Sequence, residues 1–163
     1  MTAVAVDARP ALPLPSVWPG FVIAGLFFAV EIGELIIDPS RGEDHTPLSL
    51  LVAIGGAVYW YFCVYRIHQV LRDITGGTYP IGPWRAALLQ LVPFFNFYWL
   101  VHWPNKLADF LKSSGIPMGR YWPGLTIIAG MFMLRLVDGS IGLAVVFGVL
   151  LYIRRRLARL VPA

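Results

Sequence analysis

The fold depends on one stretch in the second half of the chain, Leu91-Val-Pro-Phe-Phe-Asn-Phe-Tyr-Trp-Leu-Val-His-Trp-Pro-Asn-Lys106. This stretch is apolar enough to enter a membrane. It nevertheless contains two prolines, two asparagines, a histidine and a lysine, which a continuous transmembrane helix tends to avoid because lipid offers no hydrogen-bond partners. Whether the stretch crosses the bilayer determines the topology of the whole chain.

The composition places most of the chain in lipid. Of the 163 residues, 58% are hydrophobic and only 13% are charged, whereas a soluble domain carries about 25% charged residues. The length suits a single domain. The net charge is +4, but the basic residues flank apolar runs and form no stripe on a polar face, which argues against nucleic acid as a partner.

Four apolar runs are predicted to be transmembrane helices, and they lie at 18–37, 48–71, 121–134 and 141–153. The last two are short for a hydrocarbon core of about 30 Å. Residues 1–17 contain Pro10, Pro13 and Pro15, which forbid a continuous helix and predict a flexible cytoplasmic tail. Residues 18–160 are predicted to form a single transmembrane helical domain.

The basic residues decide the path of segment 84–114, which contains the opening stretch. Five full crossings would divide the thirteen Lys and Arg into eight and five in either orientation. If the segment instead enters and leaves on the cytoplasmic side, or lies in the interface, eleven are cytoplasmic and only Arg41 and Arg135 are not. The positive-inside rule therefore predicts an all-α, four-span helical bundle of two hairpins. Its broken re-entrant or interfacial segment is at 84–114, and both termini are cytoplasmic.

Four residues define this broken segment. Pro93 and Pro104 lack the backbone N–H that a helix interior requires. Asn96 is expected to cap the helix that follows the break, and His102 lies on the descent to the interface. The freed backbone groups must bond to protein or water.

Four charged residues are predicted to form an intramembrane charge network: Glu31, Glu34, Arg135 and Asp138. Glu31 and Glu34 are three residues apart and therefore share one helix face. The preferred interpretation is a Glu–Arg contact through Arg135 that joins the two hairpins. The alternative is a proton or cation pathway.

Aromatic and basic residues are predicted to form a cytoplasmic rim that contacts lipid or a partner. Its members are Trp84, Arg85, Trp99, Trp103, Lys106, Arg120 and Trp122. Such residues anchor proteins at the membrane interface and attract anionic headgroups. A specific groove for a lipid or a partner is the sharper alternative, and the sequence leaves both open.

The sequence contains no metal-binding, nucleotide-binding or hydrolase motif, so we expect no metal, no cofactor and no enzymatic activity. The single cysteine, Cys63, lies in an apolar run and is expected to be buried. His68 and His102 stand apart among aromatic residues, which favours hydrogen bonding at the interface over haem ligation.

Two runs carry a resemblance to a known group of proteins: Gly76-Gly77-Thr78-Tyr79-Pro80-Ile81, and Pro93-Phe94-Phe95-Asn96-Phe97-Tyr98-Trp99 with Trp103-Pro104. Over about residues 58–112 the chain resembles small bacterial multispan membrane proteins classified as domains of unknown function. The resemblance implies an integral protein of a bacterial membrane, here the inner membrane. It carries over no catalytic residue.

The sequence thus favours a non-enzymatic membrane protein that acts as an accessory or scaffold subunit of a larger assembly, or as a homo-oligomer. Its partners would be membrane lipids and other membrane subunits or further copies of itself. The alternative is a small ion or proton channel or transporter that uses Glu31 and Glu34, because broken helices line cavities in such proteins.

Overall fold

Six α-helices make up the computed structural model, which describes residues 12–38, 46–136 and 138–160 but not the side chains of residues 135 and 136. The helices are α1 (Trp18–Ile37), α2 (Pro47–Ile74), α3 (Pro83–Leu88), α4 (Phe95–Ser113), α5 (Trp122–Leu136) and α6 (Gly139–Leu157). A short 3-10 turn, Leu89–Leu91, follows α3. These ranges contain no strand, so the predicted all-α class is confirmed.

The helices begin where the sequence supplies a starting signal. Pro19 and Pro47 lie in the first turns of α1 and α2, where the missing N–H costs nothing. The Thr46 hydroxyl caps α2 by accepting a hydrogen bond from the Ser49 N–H at 3.1 Å. Asp138 caps α6 in the same way, at 2.8 Å from the Ile141 N–H.

Within the described ranges, α1 and α2 are the two helices that are long and apolar enough to cross a membrane, with 20 and 28 residues. Helix α5 has only 15 residues, or about 22 Å. Helix α6 has 19 residues, but Arg154, Arg155 and Arg156 occupy its last turn. By length and composition α1 and α2 are thus candidate spans, and the four-span bundle remains a prediction.

Phe147 of α6 is completely buried and belongs to the hydrophobic core. Its ring lies 6.0 Å from the Tyr59 ring and 6.5 Å from the Trp60 ring of α2. Gly20 of α1 lies against the same ring so closely that a Cβ there would clash with it. Three helices thus meet at one aromatic side chain, which joins the N-terminal hairpin to α6.

Part of the predicted N-terminal tail belongs to this core. Val17 is buried, and Leu12 and Leu14 pack against the core residues. The Tyr59 hydroxyl donates a hydrogen bond to the Ser16 carbonyl at 2.6 Å. Residues 12–17 are therefore held by apolar contacts and do not form a free tail, and residues 1–11 lie outside the described part of the chain.

The break in segment 84–114 is a tight turn at Phe94. The Phe95 N–H donates to the Pro93 carbonyl at 2.7 Å, and Phe94 has a φ of 61°, which is the geometry of a strained γ-turn. Asn96 was expected to cap α4, but it lies inside the first turn and its Oδ1 has no hydrogen-bond partner among the described residues. The γ-turn places the N-cap at Phe94 and so starts the helix two residues too early for Asn96 to act as its cap.

Helix α4 continues through Pro104. Helix α5 packs against α4 at the carbonyl that this proline leaves without a helical hydrogen-bond donor. Pro104 has no N–H, so the carbonyl of Leu100 loses its helical donor. Gly124 of α5 approaches that carbonyl so closely that a Cβ would lie 2.7 Å from the Leu100 oxygen and 2.6 Å from the Val101 Cα. The missing side chain at Gly124 thus permits a close crossing of α4 and α5.

Candidate functional site

The clearest candidate site is a groove of about 410 Å³ between the end of the loop after α2, helix α3 and helix α4. We call it the basic groove. Arg85 and Lys106 supply two cations, while Trp99 and His102 form an aromatic wall; Pro80, Ile81 and Leu89 complete the lining. Its volume lies within the range of about 300–1,000 Å³ that is typical of small-molecule pockets.

Helical spacing brings the α4 residues of this groove together. Trp99, His102 and Lys106 are separated by three and four residues, so they lie on one face of the helix. The His102 ring stacks on the Trp99 ring at 5.4 Å and on the Tyr98 ring at 5.0 Å. The Tyr98 hydroxyl is 2.9 Å from His102 Nδ1, which fixes the orientation of the imidazole.

Hydrogen bonds attach α3 to the rest of the groove. The indole N–H of Trp99 donates to the Ala86 carbonyl at 3.1 Å. Gln90, which is buried, donates to the same carbonyl at 2.7 Å and accepts from the Trp60 indole at 2.7 Å. Arg85 is therefore carried on a short helix that is fixed to both α2 and α4.

The predicted rim is divided by the structure. Arg85, Trp99 and Lys106 lie together in the basic groove, along with His102. Three other members lie elsewhere: Trp84 packs at a tilt against Tyr65 at 4.9 Å, Arg120 pairs with Asp109 at 3.2 Å, and Trp122 packs edge-on against Tyr152 at 4.7 Å.

Trp103 requires a correction, because it was expected on the rim and is completely buried. Its ring packs edge-on against His68 of α2 at 5.2 Å. The face of α4 that carries Trp103, Leu107 and Leu111 is turned into the core. Trp103 is thus a core residue immediately behind the groove wall.

Behind the groove lies a cluster of buried polar groups made by His68, Tyr79 and Trp103. The His68 ring centre is 5.8 Å from Tyr79 and 5.2 Å from Trp103. His68 Nδ1 lies 2.9 Å from the Val64 carbonyl, which can only accept, so Nδ1 carries a proton. Within the described residues, His68 Nε2, the Tyr79 hydroxyl and the Trp103 indole N–H have no hydrogen-bond partner. Burial raises the pKa of Tyr79, which keeps its hydroxyl protonated.

Two members of the predicted charge network, Glu34 and Asp138, make local contacts. The Thr46 hydroxyl donates to the Glu34 carboxylate and so links the end of α1 to the start of α2. Asp138 caps α6, and the Ser140 hydroxyl and the Ile141 N–H lower its pKa by bonding to the carboxylate. The expected Glu31–Arg135 contact lies outside the described residues, because the Arg135 side chain is not among them.

No group of three metal-ligating side chains occurs in the part of the chain that the structure describes. Cys63 is buried, as expected from its apolar surroundings. His68 lies in the core while His102 lines the basic groove.

Sequence reasoning missed the apolar lining of the groove and the buried polar cluster. The spacing of Trp99, His102 and Lys106 could have indicated the groove wall. Tyr79 gave no such signal, because a tyrosine in a Gly- and Pro-rich loop is usually read as exposed.

Comparison of the chain with protein-family models, with curated proteins and with solved structures finds no match.

Proposed function

We propose that this chain is a non-enzymatic integral protein of the bacterial inner membrane that acts as an accessory or scaffold subunit of a larger membrane assembly. Alternatively, the larger assembly is a homo-oligomer, in which further copies of this chain take the place of the partner subunits. In this proposal the chain has four spans, with both termini in the cytoplasm. Two helices of the required length and apolarity support the membrane location, and the basic residues support the orientation.

One observation carries the subunit role, namely an apolar groove of about 700 Å³ between α1 and α2. Its lining includes Ile23, Leu51, Ile54, Gly55 and Val58. A Cβ added at Gly55 would meet nothing within 4 Å. Helices associate in lipid through close packing at small residues, so a partner helix can approach the backbone of α2 at Gly55.

The short second hairpin, formed by α5 and α6, also supports the subunit role. Helix α5 has 15 residues, and short spans in a bilayer of about 30 Å are accommodated by thinning the bilayer or by oligomerisation. A partner that covers the hairpin would remove this mismatch.

Ion conduction receives no comparable support. Glu34 accepts a hydrogen bond from Thr46, and neither Glu31 nor Glu34 lines the basic groove or the apolar groove. A channel or transporter that uses Glu31 and Glu34 is therefore an alternative that rests on the sequence alone.

The test is native mass spectrometry of the gently solubilised complex from its own membrane. We expect stoichiometric partner subunits, or further copies of the chain, to remain bound to the wild type. Gly55→Leu fills the apolar groove and should release them. Gly25→Leu introduces the same side chain on an exposed position of α1 that also has open space, so it should leave the assembly intact. A wild-type chain that is always monomeric would contradict the proposal.

A further inference from the structure

The two cations of the basic groove, Arg85 and Lys106, form no ion pair with an acidic side chain among the described residues. Arg120 pairs with Asp109, and Arg66 donates to Gln69. By contrast, Arg85 and Lys106 form no ion pair or hydrogen bond within the described ranges. Two cations that face one groove without a counter-ion indicate an anionic ligand.

The same groove has a third polar group. In the tautomer whose Nδ1 accepts the Tyr98 hydroxyl, His102 carries its proton on Nε2. That N–H can donate to an anion in the groove. Arginine, lysine and imidazole N–H groups together match the several oxygens of a phosphate.

Apolar side chains surround the turn at one end of the groove. Leu91 and Val92 are exposed, and Phe94 is 90% exposed. Along α4, Trp99 lies roughly 6 Å and Lys106 roughly 16 Å beyond the first residue of the helix, at about 1.5 Å per residue. The order along α4 is therefore apolar, aromatic and then cationic. This is the order expected of a helix that runs from hydrocarbon, at the turn, to the membrane interface.

We infer that the basic groove binds the phosphate of an anionic lipid headgroup. Arg85 and Lys106 contact the phosphate oxygens, and Ile81 and Leu89 contact the apolar part of the same lipid. Basic pockets between membrane helices on the cytoplasmic side bind such headgroups in other proteins. The inference rests on the membrane location in the proposed function.

The test is native mass spectrometry of the full chain in a neutral maltoside detergent, with phosphatidylglycerol or phosphatidylcholine as the probe. We expect one phosphatidylglycerol to bind in preference to phosphatidylcholine. Arg85→Gln/Lys106→Gln should weaken phosphatidylglycerol binding roughly 30-fold. Lys106→Arg keeps the charge and should retain binding. Both residues are exposed, so the fold should survive, and unchanged thermal unfolding would verify this.

A matched control removes the same charge elsewhere. Arg72 and Lys112 are exposed and lie outside the groove, so Arg72→Gln/Lys112→Gln should bind phosphatidylglycerol as the wild type does. Equal losses in the two double variants would overturn the site. Binding of inorganic phosphate that depends on Arg85 and Lys106, without any preference for phosphatidylglycerol over phosphatidylcholine, would assign the site to a free anion and overturn the lipid.

The spectra also separate this inference from the proposed function, because bound subunits and bound lipid differ in mass. Missing partner subunits contradict the proposed function, whereas missing lipid preference overturns the lipid site.

Discussion

Trp99 and Trp103 are four residues apart on α4 and lie in different surroundings. Trp99 faces the basic groove and donates its indole N–H to the Ala86 carbonyl. Trp103 is completely buried against His68. Both look alike in the sequence, because each is an aromatic residue close to Lys106. Both belong to the hydrophobic core, with Trp99 7% exposed, and only the packing of the helices places Trp99 on the groove wall and Trp103 against His68.

We expect Trp103→Ala to lower the free energy of unfolding by about 3–5 kcal/mol, as is usual when a buried aromatic side chain is removed. The measurement is denaturant unfolding in mild detergent micelles, followed by circular dichroism. Trp84→Ala is the matched control, because Trp84 is 65% exposed and its one aromatic contact among the described residues is a tilted one with Tyr65. It should cost less than about 1 kcal/mol. Similar effects of the two substitutions would contradict the burial of Trp103.

Helix α4 shows how far element boundaries follow from sequence. The break at Pro93 was predictable, because a proline removes a helical donor wherever it stands in the interior. The N-cap of α4 was not predictable, because the γ-turn at Phe94 displaces the start of the helix and leaves Asn96 inside the first turn. Pro104 lacks a donor in the same way, yet α4 continues through it. A proline therefore indicates a lost hydrogen bond, and the neighbouring elements decide whether the helix ends there.

The crossing of α4 and α5 depends on Gly124. We expect Gly124→Ala to lower the free energy of unfolding by at least about 2 kcal/mol, because the new methyl group would clash with backbone atoms of Leu100 and Val101 that cannot move aside. The same micellar unfolding assay measures this.

Gly148 of α6 provides the control for that substitution. A Cβ at Gly148 would meet nothing within 4 Å, and alanine is favoured over glycine in a helix interior by up to about 1 kcal/mol. Gly148→Ala should therefore leave stability unchanged or raise it slightly. If Gly124→Ala behaves like Gly148→Ala, the two helices do not cross as closely as described.

At the scale of the whole molecule, the amino-acid composition was sufficient to predict the all-helical fold class. It was insufficient to predict the basic groove. Low charge and long apolar runs predicted an all-helical chain, and α1 and α2 match the first two predicted spans closely. The basic groove combines Ile81, Arg85 and His102, which three separate segments supply. No local pattern relates those segments, since their contact depends on Trp99 and Gln90 meeting at the Ala86 carbonyl.

The orientation in the membrane can be tested with single cysteines, because the native Cys63 is buried and Cys63→Ala gives a background without thiols. In spheroplasts, an impermeant maleimide should label Ser40→Cys, which lies in the loop predicted to be periplasmic. It should label Lys112→Cys only after lysis, because segment 84–114 is predicted to return to the cytoplasm. Lys112 is exposed, so burial would not explain a lack of labelling. Labelling of Lys112→Cys in intact spheroplasts would place the end of α4 outside and require a full crossing by this segment. The basic groove would then lose its predicted position at the cytoplasmic interface.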